Sequence, residues 1–258
     1  MTTTMTTREN AMANTEFILP AMVEGEFSAE ELAEDMDGLQ MSFPRVKIPG
    51  GGSLMFEIPS DDPDNPDYEK ALEGVILYNH ASCAYWVDSD DEDNTPICSS
   101  VDGKVGIGEP GGVCAACMLN RYGTAEKGNG KACKNMRVLY LLRSGEYMPL
   151  QLNLPPTSIK AFRDFANLSF MLRRRATYGS LVRIELKKMS NGKEDYSVAT
   201  FRRLRDFTGE ELANIKAYAE SFKAQMKLTL SQRAKANEDT HEDLCEYTDE
   251  ESAAELPM

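Results

Sequence analysis

The stretch MRVLYLLRSGEYMPLQLNLPPTSIKAFRDFANLSFMLRRR, residues 136–175, decides the fold. Residues 136–142 are mostly apolar and β-prone, Ser144-Gly145 supplies a tight turn, and residues 147–154 read as the returning strand. Pro155-Pro156 stops that strand, because proline cannot donate to a ladder. Thr157 can then cap a helix over residues 158–175, in which Ile159, Phe162, Phe165, Ala166 and Phe170 recur at three- and four-residue spacing.

Working outward, residues 74–87 read as one long, bent strand ahead of this hairpin. Residues 181–186 read as a fourth strand, placing Val182, Ile184 and Leu186 on one face and Leu181, Arg183 and Glu185 on the other. Asn191-Gly192 turns the chain into a fifth strand over 196–201. A last helix is expected over 208–228, capped by Thr208 with Glu211 three residues on. Residues 43–48 and 54–58 read as a hairpin around Gly50-Gly51-Gly52, and 60–67 as a surface loop. Strand, strand, strand, helix, strand, strand is the order of an OB-fold. The expected fold is therefore α+β and mainly β: a five-stranded OB-like barrel over residues 43–230. An acidic, mostly disordered arm (1–42, with a short helix over 28–36) would precede it, and an acidic disordered tail (231–258) would follow.

Between the first two of those strands lies an insertion, residues 96–135, holding Cys98, Cys114, Cys117 and Cys133. The central C-x2-C pair has fifteen residues on either side before the outer cysteines. Four thiolates with a close central pair suit tetrahedral Zn²⁺. The intervening sequence is rich in glycine and polar residues, so a metal is expected to order it. Four unrelated thiols, or two disulfides, are the competing readings. Zinc would be structural, because four thiolates leave no open position for water. Cys83 alternates with Tyr85 and reads as a small buried hydrophobe. With no signal-like N-terminus and no apolar run near the about 20 residues of a membrane span, the expected compartment is a reducing cytoplasm.

The net charge of −14 conceals segregation. Residues 1–97 carry four basic and 21 acidic side chains, residues 98–205 carry 19 basic and eight acidic, and residues 237–258 carry nine acidic and no lysine or arginine. The middle block suits a polyanionic partner despite the whole-chain pI of about 4.7. Within it, cations interleave with Tyr122, Tyr140, Tyr147, Tyr178 and Tyr196, and Tyr85 and Trp86 lie shortly before it. Proteins that track single strands pair cations for phosphates with aromatic faces for bases. The expected phosphate contacts are Lys131, Lys134, Arg137, Arg143, Lys160, Arg163, Arg183, Lys187 and Arg202, and the expected stacking residues are Tyr85, Trp86, Tyr140 and Tyr147. A solvated cationic face and core aromatics are the plainer alternative.

Enzyme signatures are poor. Gly106-x-Gly108-x-x-Gly111 lies between the cysteines, contains Pro110 and opens no helix. Gly123 and Gly128 have phosphate-loop spacing, but Asn129 stands where lysine is required. A nucleophile-base pair would have to rely on His80 without a supporting pattern. Asp88 to Asp93 reads as a solvated acidic loop. The expectation is a non-enzyme.

The run Pro110-Gly-Gly-Val-Cys-Ala-Ala-Cys, then Gly130-Lys-Ala-Cys-Lys-Asn, then LQLNLPPTSIKAF (150–162) resembles single-stranded DNA-binding proteins of bacteriophages and mobile elements. The resemblance implies a zinc-bearing insertion in an OB-like barrel and coating of unpaired DNA during replication or recombination. It also implies an acidic tail that recruits replication or recombination proteins or competes for the basic groove. Here the tail ends Glu255-Leu-Pro-Met rather than in the aromatic tip common to that class. A strand-annealing mediator, an acidic DNA mimic that blocks a host enzyme, and a zinc-ribbon transcription factor are the alternatives. Self-association and the choice of DNA over RNA are left open by the sequence.

Overall fold

The computed structural model describes residues 16–20, 42–62, 64–87, 96–126, 129–192 and 194–251, with side chains through 234. The expected helix over 28–36 and the acidic loop at Asp88 to Asp93 lie outside the described residues. Two compact units emerge: Met1–Asn79 with Val138–Phe222, and His80–Arg137 with Lys223–Met258. Among the described residues the architecture is mixed α+β, mostly strands with two α-helices. Among the described residues no helix is long and apolar enough to cross a membrane.

The first unit holds β1 (Arg45–Val46), β2 (Phe56–Ile58), β3 (Asp67–Glu69) and the start of β4 (Ala71–Tyr85). The end of β8 (Lys134–Leu142), β9 (Leu150–Leu154), α1 (Pro156–Ala166), β10 (Ser180–Ser190) and β11 (Asp195–Asp206) complete it, with the first turns of α2 (Gly209–Glu251). The decisive hairpin forms as expected: β8 and β9 are neighbours, and Gly145 takes a φ of 80° between them. β4 lies beside β8, and its first residues pair antiparallel with β10, Gly74 opposite Val182. Gly74 is required there, since a Cβ would run into the Leu142 carbonyl and the Leu141 side chain. β10 and β11 form the second hairpin through the Asn191-Gly192 turn, where Gly192 has a φ of 85°. Alternation on β10 holds: Val182, Ile184 and Leu186 join the core with Phe56, Leu72, Ile76, Leu139, Leu141, Leu152, Leu154, Phe162 and Phe170.

The sheet does not close into the expected barrel. The path runs β9-β8-β4-β10-β11, and closure would need β9 beside β11. β1 takes the outer side of β9 instead, parallel, with Arg45 opposite Gln151, and the Gln151 N–H donates to the Pro44 carbonyl at 2.8 Å. β11 meets α1: Phe162 packs edge-on against Phe201 at 5.3 Å, and Phe165 stacks on Phe201 at 5.5 Å. The Ala199 N–H donates to Ser158 Oγ at 2.9 Å, both buried, so a helix serine satisfies a strand amide that lacks a strand partner.

Other expectations also shift. α1 begins at Pro156 with Pro155 as its cap, so Thr157 is not the cap. It ends at Ala166, continues as a π-helical turn (Asn167–Met171) and is followed by Arg174 at a φ of 53°. The 43–58 hairpin shrinks to a bridge between Lys47 and Glu57, and β2 pairs with β3, which begins at Asp67, the last residue of the expected loop. α2 starts at Gly209 and its backbone continues to Glu251, well past residue 228 and into the acidic tail. Glu211 makes no capping box. Its carboxylate holds Arg205 at 2.6 Å and accepts the Phe17 N–H at 2.9 Å, and the Arg205 guanidinium keeps its pKa below the usual range.

Phe17 belongs to the arm that was expected to be disordered. It is 3% exposed and packs edge-on against Phe207 at 5.7 Å. The Ile18 N–H donates to Ser144 Oγ at 3.0 Å, and the Ile18 carbonyl accepts from the Gly145 N–H at 3.0 Å. An apolar run of Phe-Ile-Leu-Pro at 17–20 is enough to anchor this segment.

Candidate metal centre and nucleic-acid interface

The cysteine-rich unit is built on the far end of β4. There β5 (Cys98–Ser100) pairs with β4, Cys98 opposite Tyr85. β6 (Val105–Gly108) pairs with β5, and β7 (Gly112–Val113) with β6. Cys114 follows β7 and anchors through its N–H to the Lys104 carbonyl at 2.8 Å. Cys117 leads into a 3-10 turn (Met118–Asn120). The Asn120 side chain donates to the Cys114 carbonyl at 2.9 Å, which ties the two ends of the C-x2-C turn together. The Cys133 N–H donates to the Leu119 carbonyl at 3.0 Å, bringing the last cysteine back to that turn.

All four expected ligands line one cavity of about 10 Å³, together with Cys83 and Asn120. That is room for one atom-sized occupant. Cys98, Cys114 and Cys133 are buried, Cys117 is half-buried, and none of them is in a disulfide. Gly106 lies close against the sulfurs: a Cβ there would stand 3.0 Å from Cys98 Sγ and 3.7 Å from Cys114 Sγ. Four sulfurs around so small a space fit a thiophilic cation in their chemistry. Among the described residues, however, no three His, Cys, Asp or Glu side chains are arranged to hold a metal ion. A metal here is therefore an inference from donor type and shared cavity.

Cys83 is the residue the sequence reading undervalued. It is buried, as expected, but in contact with Cys114 and Cys133 rather than in the apolar core. Burial pushes its thiol up to about 12, with the neighbouring Cys133 and Cys114 adding to the rise. The neutral S–H donates to Asn135 Oδ1 at 3.3 Å. Burial likewise raises Cys133, reinforced by Cys114, Cys98 and Cys117. The only available signal was strand register, which sets Cys83 opposite Ser100, two residues along from Cys98.

The expected nucleic-acid residues divide between the units. On the cysteine-rich unit, Lys134 is exposed and Lys131 half-buried, and they sit together, Lys134 Nζ donating to the Lys131 carbonyl at 3.2 Å. Arg137, Tyr85 and Trp86 are half-buried. On the other unit, Lys160 and Arg163 lie exposed on α1 and share Asp164, at 2.8 and 3.4 Å. Lys187 and Arg202 are exposed on the β10–β11 hairpin, and Tyr147 is exposed in the β8–β9 turn region.

Three of the thirteen are otherwise committed. Tyr140 is 3% exposed, its ring packed among Phe43, Tyr78 and Phe222, so no base can reach it. Arg143 is held between Glu69 and Glu146, and Arg183 between Glu73 and Glu185. Both arginines line a cavity of about 620 Å³ with Arg205, Phe17, Glu69, Glu73 and Glu146. Those carboxylates leave little positive potential for phosphate. Tyr122, the most exposed aromatic among the described residues, is one of the interleaved tyrosines that the sequence did not single out.

Compared with protein-family models, curated proteins and solved structures, the chain matches none.

Proposed function

We propose that this protein binds single-stranded DNA without strong sequence preference, coating unpaired strands during replication or recombination in a reducing cytoplasm. The observation that carries the reading is the set of solvent-exposed cations, Lys134, Lys187 and Arg202 with Lys160 and Arg163, which share Asp164, in a block of 19 basic and eight acidic residues flanked by acidic segments. Phosphates need reachable cations, and clustering of charge along the chain favours a polyanion. The neighbour order β9-β8-β4-β10-β11, with α1 between β9 and β10, supports an OB-like frame with one seam open. Cys98, Cys114, Cys117 and Cys133 would hold a structural Zn²⁺, which would fix the loops of their unit and take no part in chemistry. The acidic C-terminal segment would recruit partner proteins or compete for the basic surface.

A fluorescent oligonucleotide titration tests this, comparing single strand with duplex and DNA with RNA across a salt series. Single-stranded DNA should bind tightest, with affinity falling steeply as salt rises. Preference for duplex would favour a zinc-ribbon transcription factor. Absence of binding would favour the DNA mimic, and promotion of pairing between complementary strands the annealing mediator.

A further inference from the structure

We propose that Tyr122, with Lys131 against its ring, is a base-stacking platform on the cysteine-rich unit, its open face taking a nucleobase of the bound strand. The inference rests on the single-strand reading above and adds where a base is held.

Tyr122 is 82% exposed, although its neighbours Arg121, Gly123 and Thr124 are hydrogen-bonded. The Arg121 N–H donates to the Met118 carbonyl at 3.2 Å, and the Gly123 N–H to the Gly130 carbonyl at 2.9 Å. The Thr124 hydroxyl lies 2.8 Å from the Arg121 carbonyl and accepts the Ala132 N–H at 3.0 Å. Gly123 supplies the positive φ, 85°, that turns the chain directly after the tyrosine. The backbone on both sides of Tyr122 is thus hydrogen-bonded while the ring it carries remains in water. A large aromatic held rigidly in solvent has already lost the backbone freedom that a mobile loop would lose on binding.

Lys131 sets the chemistry of the ligand. Its Nζ stands 5.2 Å from the Tyr122 ring centroid and donates to Asn120 Oδ1 at 3.0 Å, so a cation is pinned beside the ring. Arg121 and Lys134 are exposed nearby in the chain, and residues 98–137 hold six basic side chains against three acidic. A flat π-face beside pinned positive charge suits a base and its phosphate better than an apolar peptide, which would gain nothing from the lysine. Tyr140, by contrast, is sealed in the core of the other unit.

The test uses the full-length protein and two oligonucleotides of equal length, one of thymidylate and one with abasic residues through its centre. Tyr122→Ala should weaken binding of the thymidylate strand about 5- to 150-fold. It should leave binding of the abasic strand within about twofold, and Tyr122→Phe should restore the difference. Equal affinity of the wild type and Tyr122→Ala for the thymidylate strand, or an equal loss on both strands, would overturn the platform while leaving single-strand binding intact. If the wild type bound neither oligonucleotide, the single-strand reading would fall and the platform with it. Because the side chain is almost wholly in solvent, its removal should not unfold the unit, which an unchanged thermal transition would verify.

Discussion

Phe56, Leu72, Ile76, Leu139, Leu152 and Phe170 give one unit a continuous apolar interior, whereas the other has Cys83, Cys114 and Cys133 with Tyr85 and Leu119 packed beside them. Each large apolar side chain taken out of water contributes about 1.5–3 kcal/mol, so the first interior can hold itself together. Three small thiols cannot supply a comparable sum, and the surrounding glycines raise the entropy that folding must overcome. The difference between the units is one of cohesion: apolar area in the first and, on the proposed reading, a sulfur-held metal in the second.

The largest expected effect separates them by metal removal. Chelation, or the double change Cys114→Ser and Cys117→Ser, should abolish hydrogen-exchange protection across 98–133 while β10 and β11 keep theirs. Structural zinc typically contributes about 10–16 kcal/mol at neutral pH. Elemental analysis should find one zinc per chain, and full protection after chelation would remove the contrast. Next comes Phe170→Ala, which opens a cavity in the apolar unit at a cost of about 3–5 kcal/mol. It should lower the denaturant midpoint and leave the zinc content unchanged. Ser158→Ala should cost about 1–3 kcal/mol in the same measurement, because the buried Ala199 amide loses its acceptor. Smallest is Cys83→Ser, at about 0.5–1.5 kcal/mol. Zinc should stay at one per chain, and its loss would make Cys83 a ligand.

Much of the apolar unit was legible because its signals are local. Alternation in 147–154, the Asn191-Gly192 turn and the double proline each act within a few residues, and the structure uses all of them. What was missed is non-local or chemically quiet. β3 is three residues, Asp67-Tyr68-Glu69, at the end of a proline- and aspartate-rich run, too short for any propensity to mark, and it pairs with the edge that β2 offers. β1 follows β9 in parallel across about a hundred residues of chain, a pairing invisible to any sequence window. Tyr140 and Tyr122 are chemically identical in a list of tyrosines; only the packing of Phe43 and Phe222 against one, and solvent around the other, distinguishes them. The four cysteines were readable from spacing, but Cys83 reaches them through strand register.

The seam left between β9 and β11 has a consequence for behaviour at high concentration. Unpaired strand edges invite the strands of other molecules and so seed fibrils. Here β1 lies along one lip of the opening, and the Ser158 hydroxyl occupies an amide on the other. Such an opening is plugged from within, which lets a sheet stay unclosed without becoming sticky.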